Sequence, residues 1–369
     1  MSESEASCLQ IRPLEPAQIP LVTAWARQEG FMPGSGDVAI YRQTDRQGIW
    51  VAWLNDRPIG CIAGVRYNAA YGFIGLFIVR PDQRGHGYGI QLWRHALDHL
   101  SDVRCIGLEA APDRIADYAS WGFQPASPTQ RWQLNAPSNP APALLSCADQ
   151  SCADLSLAGT SFAALSITDQ SSADRSSADP SPDDTPEFRA AANPDSQADH
   201  PAGQPSPGHG LGQGPRPGEA LPLALVTAEA LPEAALQSYD ASHEATPRPH
   251  FLRDWLRHPA GTVWALIDPQ QRCHGFGRIR PCQLPHGQGW RIGPLIADSP
   301  QLAERLLVQL LQHHPGAVLI DAPGANPAAA NLLRSRGFSV VGETLRMYRG
   351  PIPQLPLQDV FGLACLELG

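Results

Sequence analysis

The chain has 369 residues, 43% of them hydrophobic, which suffices for two domains with buried cores. Its formal net charge of −9 argues against a nucleic-acid partner, and residues 137–219, with eleven acids against three arginines, hold −8 of it. No lysine occurs among the 27 basic residues, so Schiff-base and lysine-base chemistry are excluded.

Residues 9–135 alternate between strand-like and helix-like patterns. A strand at Leu9–Pro13 precedes a helix over Pro16–Glu29. Strands follow at Ile49–Leu54 and Pro58–Val65, and the turn Asn55-Asp56-Arg57 between them suits a hairpin. Gly72–Val79 is almost continuously apolar, as a central strand buried on both faces would be. A glycine-rich turn leads into a helix at Ile90–Leu100. A strand at Cys105–Ala110, a helix at Asp113–Trp121 and a last strand at Gln130–Leu134 complete the unit.

Residues 137–219 are rich in Ser, Ala, Asp, Pro and Gly, with Phe162 and Phe188 their only aromatic residues, and carry a near-repeat of the form Ser-Cys/Ser-Ala-Asp. Such a segment buries too little apolar surface to offset its ordering entropy, so it reads as a disordered linker. Residues 221–369 return to α/β patterning and echo the first unit in order. Gly48–Leu54 resembles Gly261–Ile267, Phe73–Leu76 resembles Arg291–Pro294, and Trp121-Gly122-Phe123 resembles Arg336-Gly337-Phe338, at offsets of 213, 218 and 215 residues. The expected fold class is α/β, an α+β sandwich present as two copies of one mixed-sheet domain.

The eight cysteines are scattered without a C-x-x-C pair, so buried thiols are expected and no metal site. The polar, acidic start at Met1–Ser7 does not read as a signal peptide, and no apolar run approaches the ~20 residues that span a bilayer. A cytoplasmic protein without a membrane partner is the expectation.

The sharpest feature is the run from Val79 to Gly89, where a buried strand enters a glycine-rich turn that opens a helix. A helix start presents unpaired N–H groups and a positive dipole end, and glycines let a diphosphate approach that backbone. Arg84 can add charge. The spacing is not the G-x-G-x-x-G dinucleotide fingerprint, and no P-loop lysine is present.

These residues resemble the GNAT superfamily of acyl-coenzyme A N-acyltransferases. Val79-Arg80-Pro81 and Arg84 to Gly89 match its phosphate loop, and Tyr118-Ala119-Ser120-Trp121-Gly122-Phe123 matches its Y-x-x-x-G-F motif. The run Phe73 to Pro81 is similar to a tandem subgroup whose second GNAT-like domain is degenerate. C-terminal features of that subgroup appear as Ile292–Leu295, Asp321-Ala322-Pro323, Arg346–Gly350 and Val360–Leu363. Ala111 departs from the family, which often has Asn there.

The resemblance implies acetyl-coenzyme A as co-substrate. It would be held by backbone N–H groups of Phe77, Ile78 and Val79 and by Arg84, Gly85, His86, Gly87, Tyr88 and Gly89. It also implies that Tyr118 protonates the leaving thiolate. Glu109, at a strand end beside the cleft, is the candidate general base, against the alternatives of a solvated carboxylate or a water chain. His95 and His99 lie one helical turn apart, but without a third ligand they read as a solvated face. The tryptophans at 25, 50, 53 and 93 read as core or cleft lining, and Arg42 and Arg46 as surface charges.

The second domain lacks the chemistry. Asp298–Leu302 replaces the glycine cradle, and Leu333 stands where Tyr118 would. It is expected to wall the acceptor site or complete an intramolecular pseudo-dimer, a homodimer being the other arrangement, with Arg346, Tyr348 and Arg349 in reach of the acceptor. The expected acceptor is a small-molecule primary amine. Acetylation of a peptide or protein, and a non-catalytic acyl-coenzyme A sensor, are the alternatives.

Overall fold

The computed structural model describes residues 9–135, 222–227, 230 and 232–369; the linker expected over 137–219 lies outside them, as do Cys8, Cys147 and Cys152. Strand β1 (Leu9–Pro13) leads through a 3-10 turn at Pro16–Gln18 into helix α1 (Ile19–Gln28). α1 buries Val22, Trp25 and Ala26, the i, i+3, i+4 spacing of one helical face. Helix α2 (Asp37–Thr44) was not foreseen. Eight residues show barely two turns of periodicity, and a helix this short owes its stability to packing.

Strands β2 (Ile49–Leu54) and β3 (Arg57–Arg66) form the expected hairpin. Its turn residues Asn55 and Asp56 both take positive φ, 48° and 58°, as tight hairpin turns require. Then come β4 (Tyr71–Val79), α3 (Tyr88–His99), β5 (Cys105–Ala110), α4 (Ile115–Ser120) and β6 (Gln124–Leu134). The second half repeats this order with β7 (Ala224–Thr227), α5 (Glu233–His243), α6 (Pro249–Arg257), β8 (Thr262–Ile267), β9 (Cys273–Gln283) and β10 (Gln288–Ala297). It continues with α7 (Pro300–Leu311), β11 (Val318–Pro323), α8 (Pro327–Ser335), β12 (Ser339–Arg349) and β13 (Val360–Gly362). The sequence echoes fall on equivalent places: β2 with β8, β4 with β10, and the turns after α4 and α8. There Gly122 and Gly337 share a φ of 84°, the left-handed helix end that favours glycine.

All these strands join one sheet, in the order β1-β2-β3-β4-β5-β12-β6-β11-β10-β9-β8-β7, with β13 paired to β10. β6 of the first half and β12 of the second therefore lie beside the other half's strands. β12 pairs antiparallel with β5, and β6 with β11, while β6 and β12 pair with each other. The strand expected at Gln130–Leu134 is longer than its pattern suggested and does not close its own half. Hydrophobic alternation specifies which face of a strand is buried, not which edge it joins.

α3 and α4 cover one face of the first half, with Leu92, Trp93 and Tyr118 packed over Ile74, Val79 and Leu108. The other face lies under α1, α2 and α6, whose Trp25, Tyr41, Phe251 and Trp255 pack with Ala364, Cys365 and Leu368. The five described cysteines are buried and free, as expected.

Residues 363–369 cross from one half to the other. Leu363 N–H donates to Asp321 O (2.7 Å), Tyr67 Oη–H donates to Leu368 O (3.1 Å), and Arg248 Nη1 donates to Gly369 O (3.0 Å). A Cβ on Gly75 would stand 2.0 Å from Glu367 O, and one on Gly293 2.2 Å from Leu363 O. These glycines, equivalent in β4 and β10, let the segment lie directly on both strands.

Buried ion pairs join the halves. Arg280 forms a bidentate pair with Asp37 (2.8 and 2.9 Å), and Arg131 one with Asp321 (2.6 and 3.0 Å). Arg291 reaches Asp321 (2.7 Å) and Glu367 (3.3 Å), and Tyr41 Oη–H donates to Glu367 (3.2 Å). Burial alone would raise the Asp321 carboxyl, but Arg131 and Arg291 outweigh it and bring it down to about 2.

Because its folded pKa lies below the unfolded one, Asp321 adds stability above ~4. That stability is lost as pH falls through about 2. Asp321→Asn, which strands two buried arginines, should cost about 3–5 kcal/mol in urea unfolding at neutral pH. It should also flatten the stability loss across that acid window. A variant as stable as the parent would show that the pairs are not what holds the halves together.

Candidate functional site

The site begins as a fault in the sheet. Along β3, Cys61 and Ala63 face Ile78 and Gly75, so β4 carries one residue more than its partner, and Leu76 takes a φ of 46°. This β-bulge bends β4. Its parallel ladder with β5 stops at Ile74–Leu108, and beyond that point the β5-facing edge of Gly75–Val79 has no strand partner among the described residues. Phe77 and Val79 therefore turn their backbone N–H groups to this edge, while Ile78 faces Cys61 on β3, and an extended amide chain can pair there like an added strand.

The open edge runs into the glycine loop. After a 3-10 turn at Pro81–Gln83, Gly85 (78°) and Gly87 (76°) take positive φ, and Gly87 enters α3 without any side-chain cap. Tyr88 and Gly89 open the helix with first-turn amides that no described side chain caps, and Gly89 lies beside Phe77. His86 is exposed at the tip and stacks on Tyr88. An uncapped helix start beside two glycines fits a diphosphate. Arg84 is placed differently from expectation. Its Nε donates to Val79 O (2.9 Å) and its Nη2 to Glu29 (2.6 Å), so its side chain fastens the strand end to α1.

Where β4 and β5 part, a cavity of about 70 Å³ opens, lined by Leu76, Phe77, Trp93, Leu108 and Tyr118. Glu29 and Phe31 line it from the loop after α1, Arg131 and Thr344 from β6 and β12, and Leu366 and Glu367 from the crossing segment. The ion network holds this wall: Arg291 Nη1 donates to Met32 O (3.3 Å), and Arg131 Nη1 to Phe31 O (3.4 Å). Burial pushes the Tyr118 phenol above its ordinary value, so it stays protonated. Burial also raises the Glu29 carboxyl, outweighing the neighbouring Arg84 guanidinium.

Glu109 is in the cavity wall, as its strand-end position suggested, but its oxygens are already engaged. Oε1 accepts from Arg346 Nε (2.6 Å) and Thr129 (3.1 Å), and Oε2 from Thr344 (2.8 Å). With the side chain 4% exposed and three donors on it, Glu109 is an anchor for β12 and not a free base. Glu29 was not foreseen as a site residue. It belongs to no motif, and only the placing of α1 against the bulge brings it here. His95 and His99 are not simply solvated either: both pack edge-on against Trp50, and His99 pairs with Asp45 (2.9 Å). Arg42 donates to Leu14 O (2.7 Å), which leaves it a structural contact. No group of three or more metal-ligating side chains occurs among the described residues.

The second half has the same bulge, between Ile292 and Leu295, and the same early end to its parallel ladder. There β13 fills the opening, pairing with Leu295 and Ile296, the equivalents of Phe77 and Ile78. Ser299 caps α7 by accepting from Leu302 N (3.3 Å), which occupies a first-turn amide. The slot and the cradle are both taken.

Residues 20–123 match the family model described as acetyltransferase (GNAT) family, and residues 236–362 that described as acetyltransferase (GNAT) domain. Holothin acyltransferase from Pseudoalteromonas sp. (strain SANK 73390) is 24% identical over 351 residues, covering 95% of this chain and 90% of its own length. Two solved structures share the fold over nearly the whole chain. A Pyrococcus horikoshii protein, given as a candidate acetyltransferase, has a TM-score of 0.63 at 18% identity, over 98% of this chain and 96% of its own. A tandem GNAT protein from the clavulanic acid biosynthesis pathway has a TM-score of 0.53 at 12% identity, over 94% of this chain and 100% of its own.

Acetyl-coenzyme A titrated calorimetrically into the full chain should bind at one site, and Gly87→Glu, which adds bulk and negative charge to the cradle, should abolish binding. A second site per chain would contradict the closure of the second half by β13 and Ser299.

Proposed function

Given that the chain belongs to the GNAT acetyltransferase family, with two of its domains in tandem, we propose that it transfers an acetyl group from acetyl-coenzyme A to a primary amine of a small molecule. The observation that carries this is the cavity at the bulge, where an open strand edge, a protonated phenol and a partly buried carboxylate converge. Its enclosure by Phe31, Leu366 and Glu367 favours a small acceptor over a peptide. The relative that acts on holothin supports a small-molecule acceptor as well.

When bound, coenzyme A supplies an activated thioester; this chain's residues supply the rest. The amides of the Phe77–Val79 edge polarise the acyl carbonyl, the loop from Gly85 to Gly89 holds the diphosphate, and the first-turn amides of α3 meet its charge. Glu29 accepts the proton that the attacking amine must lose. A carboxylate with a raised pKa is the better base at neutral pH. Tyr118 faces the leaving sulfur. With its phenol above the ~10 of free tyrosine and a thiol near ~8.5, full proton transfer is uphill, so donation within a hydrogen bond carries much of its effect on the thiolate.

Glu29→Gln should lower kcat/KM about 10²–10⁴-fold while acetyl-coenzyme A still binds. In the parent, kcat/KM should fall as pH drops through the raised Glu29 pKa, because the base must be ionised, and this acid limb should vanish in the variant. Tyr118→Phe should lower kcat with little change in KM for the acetyl donor. Both are read by thiol release across an amine library. An acid limb persisting in Glu29→Gln would remove Glu29 as base, and no thiol release with any amine would sink the proposed activity.

A further inference from the structure

A second cavity, of about 240 Å³, lies on the far side of the Glu109–Arg346 pair from the first. The two meet at the Glu109 carboxylate: Glu109 and Thr344 line one, and Thr129 and Arg346 line the other. Both halves build the second cavity. Ser127 and Thr129 come from β6, while Glu244, Tyr348 and the segment at 352–357 come from the second half. Its floor is apolar, formed by Leu355, Leu357, Val360 and Leu363.

One group in this wall is unsatisfied. Arg346 is 7% exposed and spends Nε on Glu109, and its guanidinium lies 4.9 Å over the Phe73 ring, yet among the described residues its buried Nη2 has no hydrogen-bond partner. A buried charged donor left unpaired is costly, and a charge-assisted bond from it is among the stronger hydrogen bonds available. Such a donor beside an apolar floor, one ion pair away from the reacting cavity, is complementary to a ligand of definite chemistry.

Resting on the function proposed above, we infer that this cavity is the acceptor pocket. It receives an amine that carries a carboxylate or carbonyl oxygen next to an apolar body. The oxygen accepts from the Arg346 guanidinium, the body lies on Leu355 and Leu357, and the amine points past Glu109 toward the open edge of β4. Arg346 is then a specificity residue, and its bond to Glu109 holds the guanidinium in place. The second half, which has lost its own cofactor slot, contributes most of the acceptor's surroundings.

Phenylalanine, phenylalaninamide and phenethylamine share ring and amine and differ only in the oxygen group. Titrated by calorimetry into the full chain, at least one oxygen-bearing member should bind tenfold or more tighter than phenethylamine. A preference for phenylalanine identifies a carboxylate ligand, and one for phenylalaninamide a neutral carbonyl. Ser127 lies directly across from Arg346 in the β6–β12 register, so Ser127→Phe should fill the pocket and erase that preference while acetyl-coenzyme A binding persists. Should that variant not fold, Leu355→Trp fills the cavity from the opposite wall. Equal binding of all three, binding of none, or a preference that survives the filled pocket would overturn the inference. Calorimetry needs no turnover, so these outcomes are distinct from failure of the acetyltransferase reading, which the donor titration and thiol release decide.

Discussion

The buried arginine–carboxylate network is the interaction on which the rest of this structure depends. Six charges, those of Asp37, Arg131, Arg280, Arg291, Asp321 and Glu367, lie within the protein in equal numbers of each sign. Ions taken out of water are tolerable only when paired and fully hydrogen-bonded. The bidentate geometry at Asp37 and Asp321 meets that condition and leaves few alternative arrangements. Both halves and the crossing segment contribute members, so the network fixes how they meet. Through the carbonyls of Phe31 and Met32 it also fixes the loop that carries Glu29 to the cavity.

The two halves share one geometric device and use it differently. A bulge in β4 and its counterpart in β10 each end a parallel ladder early and open a strand edge. An open edge is a set of unsatisfied backbone groups, and something must pair with it. In the second half β13 does so from within the chain. In the first half the edge stays free beside an uncapped helix and two glycines in the left-handed region, which is what an extended, phosphate-bearing ligand needs. The structural asymmetry between two copies of one fold thus comes from where a three-residue strand falls and from one serine cap.

The carboxylates around the cavity show that position alone does not assign a role. Glu109 and Glu29 both line it. Glu109 is held by two threonines and an arginine, which take three of the roughly four acceptor sites of a carboxylate. Glu29 has Arg84 as its partner but sits where burial still raises its pKa. The first joins strands, and the second can take a proton.

The sequence by itself marked most of the local elements of the first half and a glycine turn of phosphate-binding type. A continuous apolar run marked β4 because a strand buried on both faces needs one, and turn-forming residues marked the hairpin and the glycine loop because few residues suit that backbone. Leu333 in place of Tyr118, and Asp298–Leu302 in place of the cradle, already set the second copy apart from the first. Only the tertiary structure decided which strand edges meet, since β6 and β12 join the opposite halves and alternation carries no information about edges. It alone placed Glu29 at the cavity, set three donors on Glu109, turned Arg84 toward α1 and left Arg346 Nη2 unpaired among the described residues. Each of these depends on residues a hundred or more positions apart, or on elements that share no motif. A side chain's proton affinity and reach follow from what is packed around it, and that is settled only when the chain has folded.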